Sequence, residues 1–491
     1  MGSLGLAARC GPAATSPAAV RFGRRRGLCP PDTVNTHSDA LEQKTRQLTE
    51  GALLRPLLRL ATPVIVSITL QTLYQLVNAF WLGRLGAVPV AVVSVTTPLT
   101  VLLLMIGNGL SIAGAILVAQ FSGARNRAMV NRIAAQTIVM VVALSVVLSG
   151  VGIVSARPVL QALGVSPEVL EGAATYLVIS YGGLTASYAF VMCQSILQGT
   201  GEVRFPLIVV TASVVLNAVL DPILIFGWGP VPALGVAGAA WATVVSQALA
   251  ATVGIIPLFT GRYGIRLRSA DFRIDRALIA MAAAIALPAS IEQSTRTLGG
   301  LVLTAIAAQF GTRALASFGL GMRIIMLFFI PALGFATATA TLVGQNLGAG
   351  SPQRARQAGR LGGWFIFGVL TVAGLLFMPA AGAVARVLVP SDETVVRLAA
   401  GFVSVVAPAF GVIGAQQVLA GAFRGAGQTL QAMALSLVMQ WALQIPASYL
   451  LARHTTLGLA GVWWGFPIAN LIALLATIVW FRRSVWRSRA R

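Results

Sequence analysis

Charged residues are scarce in this chain, and their scarcity limits the possible folds. Asp, Glu, Lys and Arg make up 10% of its 491 residues, whereas an ordinary soluble domain carries about 25%. A water-soluble fold is therefore excluded. Cysteine is also rare, since Cys10, Cys29 and Cys193 are the whole complement. Their isolated positions have neither the spacing of a metal site nor that of a disulfide framework, so both are excluded as ways of stabilising the fold.

Residues that carry enzymatic chemistry are equally sparse. The two histidines, His37 and His454, lie outside the predicted helices. The sequence contains neither the HExxH motif of zinc peptidases nor the GxxxxGK[ST] loop that cradles nucleotide phosphates. No nucleophile has a plausible base partner. We therefore predict no enzymatic activity and no bound cofactor. Because the chain has no motif that would bind and hydrolyse ATP, an ion gradient is the remaining energy source for transport.

Long apolar runs dominate the sequence. Hydrophobic residues make up 57% of it, and apolar runs of about 20 residues, each long enough to cross a bilayer core, recur from Leu57 to Phe481. A segment in lipid must satisfy its own backbone polar groups, so these runs predict helices. The sequence predicts an all-α polytopic membrane protein with twelve transmembrane helices. We place them near 57–82, 88–119, 133–156, 172–197, 205–227, 235–259, 277–309, 314–346, 361–385, 396–421, 430–452 and 457–481.

The net charge of +22 reflects membrane topology. From Arg55 onward, the loops predicted on one side hold twenty arginines and those on the other side hold six. Because basic residues stay on the cytoplasmic side, both termini are predicted to be cytoplasmic in a multi-pass protein of the inner (plasma) membrane. The basic charge therefore indicates the lipid bilayer as partner and excludes nucleic acid. We expect a monomer.

The sequence repeats itself at an offset of about 225 residues. Aligned pairs are Pro63 with Pro288, LVAQFSGA at 117–124 with LVGQNLGA at 342–349, Gly199 with Gly425, and GVAGAAW at 235–241 with GLAGVWW at 458–464. Each half holds six helices, an even number, so both halves start on the same side and the pseudo-twofold axis runs along the membrane normal. A duplication kept only for packing is the alternative.

The repeat divides the chain into two lobes of six helices each. The predicted parts are a disordered basic cytoplasmic tail at 1–50, an N-lobe with helices one to six at 51–259, a cytoplasmic linker at 260–276, a C-lobe with helices seven to twelve at 277–481, and a basic cytoplasmic tail at 482–491. An organelle-targeting peptide is the alternative interpretation of the first tail. A central cavity between two rocking lobes favours secondary transport over a channel, which more often needs a ring of subunits.

Ionisable residues within the apolar helices are functional candidates, because burying them in lipid is costly. Asp221 lies four residues after Asn217, so both side chains share one face of helix five. Pro222 frees the carbonyl oxygen of Ala218 beside that face. This oxygen-rich group suits a proton or a hard cation such as Na⁺, with Asp221 and Asn217 as the ligands. The alternative is an aspartate that caps a kinked helix.

A second acid, Glu292, precedes Arg296 by four residues on helix seven. This spacing favours an intrahelical ion pair with a structural role. The alternative is a charge pair that faces the substrate cavity, with Glu292 released when a substrate or proton binds. The other buried base, Arg323, is assigned either to the cavity or to the headgroup region. Further polar residues on predicted cavity faces are Gln71, Tyr74, Gln75 and Asn78 on helix one and Tyr176, Tyr181 and Gln194 on helix four.

Several segments together resemble the multidrug and toxic compound extrusion (MATE) family, most closely its prokaryotic DinF-like branch. They are LATP at 60–63, GRLG at 83–86, both LVxQxxGA segments, QGTGEVRFP at 198–206, NAVLDP at 217–222 and GVAGAAWATVVSQ at 235–247. The resemblance covers residues 51–481. It implies two six-helix lobes that form a V, and antiport of small organic, often cationic, drug-like compounds against protons or sodium.

The resemblance also implies an ion-coupling site in the N-lobe. In the DinF-like branch this site joins an acid of helix one, a tyrosine of helix four and the Asn and Asp of NxxxDP, which match Tyr176, Asn217 and Asp221 here. Asn78 departs from the pattern, because it stands where relatives usually place an aspartate. With Asn78 neutral, Asp221 must carry the coupling alone, so we expect weaker or differently selective coupling. The alternative functions are export of a lipid-linked precursor or metabolite, and a transport-dead structural or sensor subunit.

Overall fold

The apolar sequence folds into helices whose backbone groups bond within each segment. The computed structural model describes residues 45–228, 232–389, 392–484 and 486, which belong to one unit that spans residues 37–491. In this part of the chain, eleven helices and one bent pair are long and apolar enough to cross a membrane. They are α1 Leu54–Gly83, α2 Ala87–Gly123, α3 Arg127–Ala162, α4 Pro167–Gly182 with Leu184–Gly199, α5 Arg204–Phe226, α6 Val236–Thr260, α7 Arg276–Ala308, α8 Thr312–Gly348, α9 Pro352–Leu388, α10 Glu393–Gly425, α11 Thr429–His454 and α12 Leu459–Arg483. The predicted fold class is confirmed.

Matching contacts relate the lobe of α1–α6 to the lobe of α7–α12. A Cβ atom at Gly109 on α2 would lie 2.1 Å from Ser290 Oγ on α7. A Cβ atom at Gly334 on α8 would lie 2.3 Å from Ile65 Cγ1 on α1. Gly109 and Gly334 are repeat equivalents, as are Ile65 and Ser290, so the two lobes pack on each other with the parallel pseudo-twofold symmetry that the sequence predicts.

The first helix of each lobe packs into the core of the other lobe. Leu57 and Leu60 on α1 are buried in the hydrophobic core of the C-lobe. Ala282 and Ile285 on α7, their repeat equivalents, are buried in the core of the N-lobe. Fully burying a leucine or isoleucine side chain stabilises by about 1.5–3 kcal/mol. The beginnings of α1 and α7 therefore hold the two lobes together at one end of the bundle.

This end of the bundle is the basic face, which we define by the turns that follow α2, α4, α8 and α10. The segment between the lobes lies there too, and it runs from the end of α6 at Thr260 to the beginning of α7 at Arg276. Gln136 on α3 donates hydrogen bonds to the carbonyls of Asp271 and Arg273. Asp275 accepts from the first backbone N–H groups of α7 and so caps it.

Two helices differ from their predicted form. The helix predicted at 172–197 is bent by 46° between its two parts, because a Cβ atom at Gly183 would lie 2.2 Å from Val244 and the glycines let α4 approach α6 there. The helix predicted at 361–385 begins earlier, at Pro352. Its first turns carry Arg354, Arg356 and Arg360. Because the helix was predicted from its apolar run, these charged turns were not included.

The predicted disordered tail at 1–50 is wrong for its last residues. Residues 45–49 are helical, Leu48 is 6% exposed and Thr45 is 2% exposed. The backbone oxygen of Leu48 accepts a hydrogen bond of 3.2 Å from Asn346 Nδ2 on α8. This contact orders the segment although its composition is polar. Residues 1–44 of that tail, and 485 and 487–491 of the C-terminal tail, lie outside the described residues.

Candidate functional site

Asp221 and Asn217 lie at the centre of a buried polar cluster in the N-lobe. Asp221 is 0% exposed and Asn217 is 1% exposed. Neither carboxylate oxygen of Asp221 has a hydrogen-bond partner among the described residues, and the same holds for both side-chain polar atoms of Asn217 and for Oδ1 of Asn78. Buried polar groups without partners are costly. The cluster therefore holds buried oxygen atoms whose capacity to accept a proton or a cation is unused among the described residues.

The sequence of α5 explains why the two side chains meet. Residues four apart lie one above the other on a helix, and α5 runs without interruption from Arg204 to Phe226 through Pro222. The proline contributes no N–H, so the helix carries one backbone donor fewer beside Asp221. Most of α5 is apolar, and this face therefore presents a carboxylate and an amide inside an otherwise apolar helix bundle.

Tyr74 on α1 connects this cluster to α4 and α6. Its hydroxyl is 2.6 Å from Thr243 Oγ1 on α6. It also contacts the side chain of Asn78 and lies within electrostatic range of Asp221 and Tyr176. Four helices thus contribute to one site. The structure brings together Asn78, Tyr176, Asn217 and Asp221, the predicted ion-coupling residues.

A cavity of about 330 Å³ adjoins the cluster, with α1, α2, α4, α5 and α6 as its walls. This volume lies at the low end for small-molecule pockets. Of the predicted cavity residues, Gln71, Tyr74 and Gln75 line it, and Asn217 joins it to Asp221. We call it the N-lobe cavity. Its polar and apolar lining suits an organic compound with one or a few polar groups.

The sequence analysis missed several polar residues of the N-lobe cavity. These include Asn108 on α2, Ser187 on α4, and Thr243 and Gln247 on α6. Ser187 Oγ donates to Gln247 Oε1. Thr243 and Gln247 are four residues apart in a largely apolar helix, and this spacing was an available signal of a shared polar face.

The C-lobe holds a buried ion pair. Arg296 Nη2 donates to Glu292 Oε1 at 2.9 Å and to Ser436 Oγ on α11 at 2.9 Å. Glu292 Oε1 also accepts from the Ser436 hydroxyl at 3.1 Å. The predicted intrahelical ion pair is thus confirmed. Glu292 Oε2 and Arg296 Nε have no hydrogen-bond partner among the described residues, so the pair retains capacity for a polar ligand.

Three predicted residues lie apart from the N-lobe cavity. Gln194 lines a separate cavity of about 10 Å³ beside Cys193, which is too small for an organic substrate. Gln194 is not among the residues that line the N-lobe cavity, and its assignment to the substrate cavity stays a prediction. Tyr181 packs against Gly152 of α3 in the N-lobe core. Arg323 on α8 is exposed and is not among the residues of the N-lobe cavity.

Two repeat-equivalent glutamines close the basic face. Gln120 Nε2 on α2 donates to the carbonyl oxygen of Gly425 on α10 at 3.0 Å. Gln345 Nε2 on α8 donates to the carbonyl oxygen of Gly199 on α4, also at 3.0 Å. Both hydrogen bonds run between lobes and are exchanged by the pseudo-twofold axis. We call these four residues the glutamine clasp.

Glycines permit this close approach. A Cβ atom at Gly348 would lie 1.8 Å from Gln120 O, and one at Gly123 would lie 2.0 Å from Gln345 O. Gly123 and Gly348 are again repeat equivalents. The glycine that precedes the final alanine of each LVxQxxGA motif therefore serves the packing of α2 against α8, while the glutamine serves the cross-lobe hydrogen bond.

No cluster of three or more His, Cys, Asp or Glu side chains occurs in the part of the chain that the structure describes. The carboxylate of Asp221 with the amide oxygens of Asn217 and Asn78 is a donor set of hard oxygens, which alkali and alkaline-earth cations prefer.

Comparison with known proteins gives a consistent result across both lobes. The family model described as MatE matches residues 63–223 and 288–450, one block in each lobe. The probable multidrug resistance protein NorM of Deinococcus radiodurans is 30% identical over 447 residues, which cover 89% of this chain and 96% of that protein. The FAD transporter of Shewanella oneidensis is 28% identical over 427 residues, which cover 86% of this chain and 93% of that protein.

A solved structure shares the fold. It is the outward-facing conformation of a multidrug resistance MATE family transporter of the MOP superfamily, with a TM-score of 0.85 and 24% sequence identity. The similarity covers 90% of this chain and 97% of that chain.

Proposed function

Since the chain belongs to the MatE family, and is thus a multi-pass membrane transporter, we propose that it is a secondary antiporter that exports small organic compounds in exchange for protons or sodium ions. The observation that carries the proposal is the buried Asp221 carboxylate, whose two oxygens have no hydrogen-bond partner among the described residues. A charged group that is buried without a partner costs several kcal/mol. Ion uptake at Asp221 removes that cost, so ion binding is coupled to the conformation of the N-lobe.

Substrate and ion meet in adjoining spaces. Asn217 belongs both to the N-lobe cavity and to the buried cluster around Asp221. A substrate that occupies the cavity and an ion that binds Asp221 therefore compete through one side chain. Such competition is what antiport requires, because the site must release one ligand when it takes up the other.

Alternating access follows from the two-lobe arrangement. With the basic face toward the cytoplasm, as the arginine bias favours, the glutamine clasp closes the cytoplasmic side. Loading of the substrate requires the clasp to open, and ion binding at Asp221 is the event that shifts the equilibrium toward opening. A ligand shifts such an equilibrium only by its differential affinity for the two states, and a buried carboxylate supplies a large differential.

The test is gradient-driven transport by the purified protein in liposomes. We expect export of ethidium, a fluorescent organic cation, to depend on an imposed proton or sodium gradient. Asp221→Asn should abolish that dependence while the protein still inserts and folds. Glu171→Gln is the matched control, because Glu171 is an exposed acid paired with Arg157 and its replacement should leave export unchanged. Full gradient-driven export by Asp221→Asn would refute the proposal.

Export of an anionic metabolite is the second candidate. Two observations favour it: the relative from Shewanella oneidensis is named an FAD transporter, and Arg296 is a buried base with an Nε atom that lacks a partner among the described residues. The discriminating measurement is FAD efflux from the same liposomes. Efflux of FAD that Arg296→Gln abolishes, without efflux of ethidium, would favour the metabolite.

A further inference from the structure

A large cavity lies at the basic face, and it shares no lining residue with the N-lobe cavity. Its volume is about 740 Å³. Its walls are the segment at 47–52, the beginning of α1 and the turn before α5 at 201–204. Leu48, Pro56, Leu60 and Val203 form an apolar side. We call it the arginine cavity, because it is also lined by three arginines.

The charges of the arginine cavity are not balanced by its own acids. Arg55 and Arg204 have exposed side chains, and neither side chain has a hydrogen-bond or ion-pair partner among the described residues. Arg59 donates to Gln47 Oε1 at 2.8 Å. Both acids already have partners: Glu50 pairs with Arg46 at 3.0 Å, and Glu202 accepts from the backbone N–H groups at the start of α5.

We propose that the arginine cavity binds a phosphate group, with an anionic lipid headgroup of the adjacent leaflet as its expected source. Guanidinium groups match phosphate oxygens in geometry and charge. Basic cavities between transmembrane helices on the cytoplasmic side are suited to anionic headgroups. Leu48, Leu60 and Val203 are themselves almost fully buried, so the cavity offers its contacts to the phosphate and the headgroup rather than to an acyl chain.

Binding there acts on the closure of the basic face. Leu48 lines the cavity, its backbone oxygen accepts from Asn346 of the C-lobe, and its side chain abuts Gly201 of the N-lobe, where a Cβ atom would lie 2.7 Å from Leu48 Cδ1. A phosphate held by Arg55 and Arg204 connects the start of α1 to the start of α5. It therefore stabilises the state in which Leu48 contacts both lobes.

The experiment measures retention of lipid by the full-length protein. The protein is reconstituted in phosphatidylcholine nanodiscs that contain 10% phosphatidylglycerol by design, and bound lipid is counted by native mass spectrometry after release. We expect one retained phosphatidylglycerol for the wild type, and affinity about tenfold to thirtyfold weaker for Arg55→Gln with Arg204→Gln. Arg266→Gln with Arg273→Gln is the matched control, because both arginines are exposed on the same face outside the cavity. Arg55→Lys with Arg204→Lys keeps the charge and should retain most binding.

A second arm separates the two sources of phosphate. Inorganic phosphate is added to protein in pure phosphatidylcholine discs, and the unfolding temperature is measured. Stabilisation by phosphatidylglycerol alone supports a headgroup site, and stabilisation by both supports a phosphate site that accepts either source. The proposal would be overturned if Arg55→Gln with Arg204→Gln retained as much phosphatidylglycerol as the wild type. It would also be overturned if the control, Arg266→Gln with Arg273→Gln, lost as much of this lipid as that variant does. Ethidium transport is measured in parallel, so that failure of this site remains distinct from failure of the antiport proposal.

Discussion

The chemical difference between an amide and a carboxylate decides the charge of the N-lobe cluster, and hence how it would hold an ion under the proposed function. Asn78 contacts Tyr74 and its Oδ1 lacks a hydrogen-bond partner among the described residues. As an amide, Asn78 offers oxygen but no charge. Among the described residues Asp221 is therefore the acid of this cluster, and the proposed function gives its single negative charge one proton or one monovalent cation to bind.

Replacing Asn78 by aspartate should strengthen proton coupling. Two carboxylates that share a site raise each other's affinity for a proton, so we expect Asn78→Asp to move the pH midpoint of ethidium export upward by about 1 unit or more. Asn126→Asp is the matched control, because Asn126 is an exposed amide that caps α3. A pH profile that stays unchanged in Asn78→Asp would show that residue 78 does not share the proton site.

Residues of the site were predictable to different degrees. Asp221 and Asn217 could be found because a carboxylate in an apolar helix is costly and the spacing of four places the amide beside it. Thr243 and Gln247 escaped notice, since neutral polar side chains are frequent in transmembrane helices. Gln194 lies after the bend of α4 and beside a different cavity, and the sequence does not reveal such a bend.

At the scale of helices, glycines set how closely α2 and α8 approach. We expect Gly348→Val to keep the basic face from closing, because its Cβ atom would lie 1.8 Å from Gln120 O. Overpacking of this kind typically costs about 1–3 kcal/mol. The measurement is the thermal unfolding midpoint together with ethidium export, and both should fall.

Gly368→Val provides the control for this helix contact. Gly368 lies on α9, where an added Cβ atom would meet no heavy atom within 4 Å. We expect stability and export close to those of the wild type. If Gly348→Val behaves as Gly368→Val does, then the contact between α2 and α8 is not required for closure.

The helices themselves were the most predictable feature. Apolar length alone located the eleven helices and the bent pair that could cross a membrane among the described residues, and α6 and α7 are separated by the segment between Thr260 and Arg276. The bend of α4 was not predictable, because Gly182 and Gly183 interrupt a continuous apolar run without ending it. The early start of α9 was missed for the opposite reason, since its first turns are helical but charged.

At the scale of the whole molecule, the two lobes are joined by symmetry-related contacts at the basic face. The sequence repeat predicted which residues are equivalent, such as Gln120 and Gln345. It could not predict that α1 packs into the C-lobe core and α7 into the N-lobe core. A sequence repeat identifies equivalent helices but does not indicate which lobe each one packs against. Because the first helix of each lobe packs into the other lobe, closure of the basic face depends on both lobes together.

The glutamine clasp should set the balance between closed and open states. Gln120→Ala with Gln345→Ala removes two cross-lobe hydrogen bonds of about 1 kcal/mol each. The equilibrium should therefore shift toward opening by about thirtyfold, since 1.4 kcal/mol corresponds to about tenfold. Pulsed electron paramagnetic resonance between spin labels at Ala128→Cys and Gln353→Cys measures this shift, because both positions are exposed and repeat-equivalent. An unchanged distance distribution would show that the clasp does not set the balance.

The same labelled pair, in a background with Cys10→Ser and Cys29→Ser, tests most directly whether ion uptake at Asp221 opens the basic face. The measurement is the distance distribution as pH is lowered or sodium is added. The account predicts that the longer distance gains population in protein with Asp221 intact, and that Asp221→Asn gives one distribution whatever the ion concentration. An ion-dependent distance that survives in Asp221→Asn would contradict it.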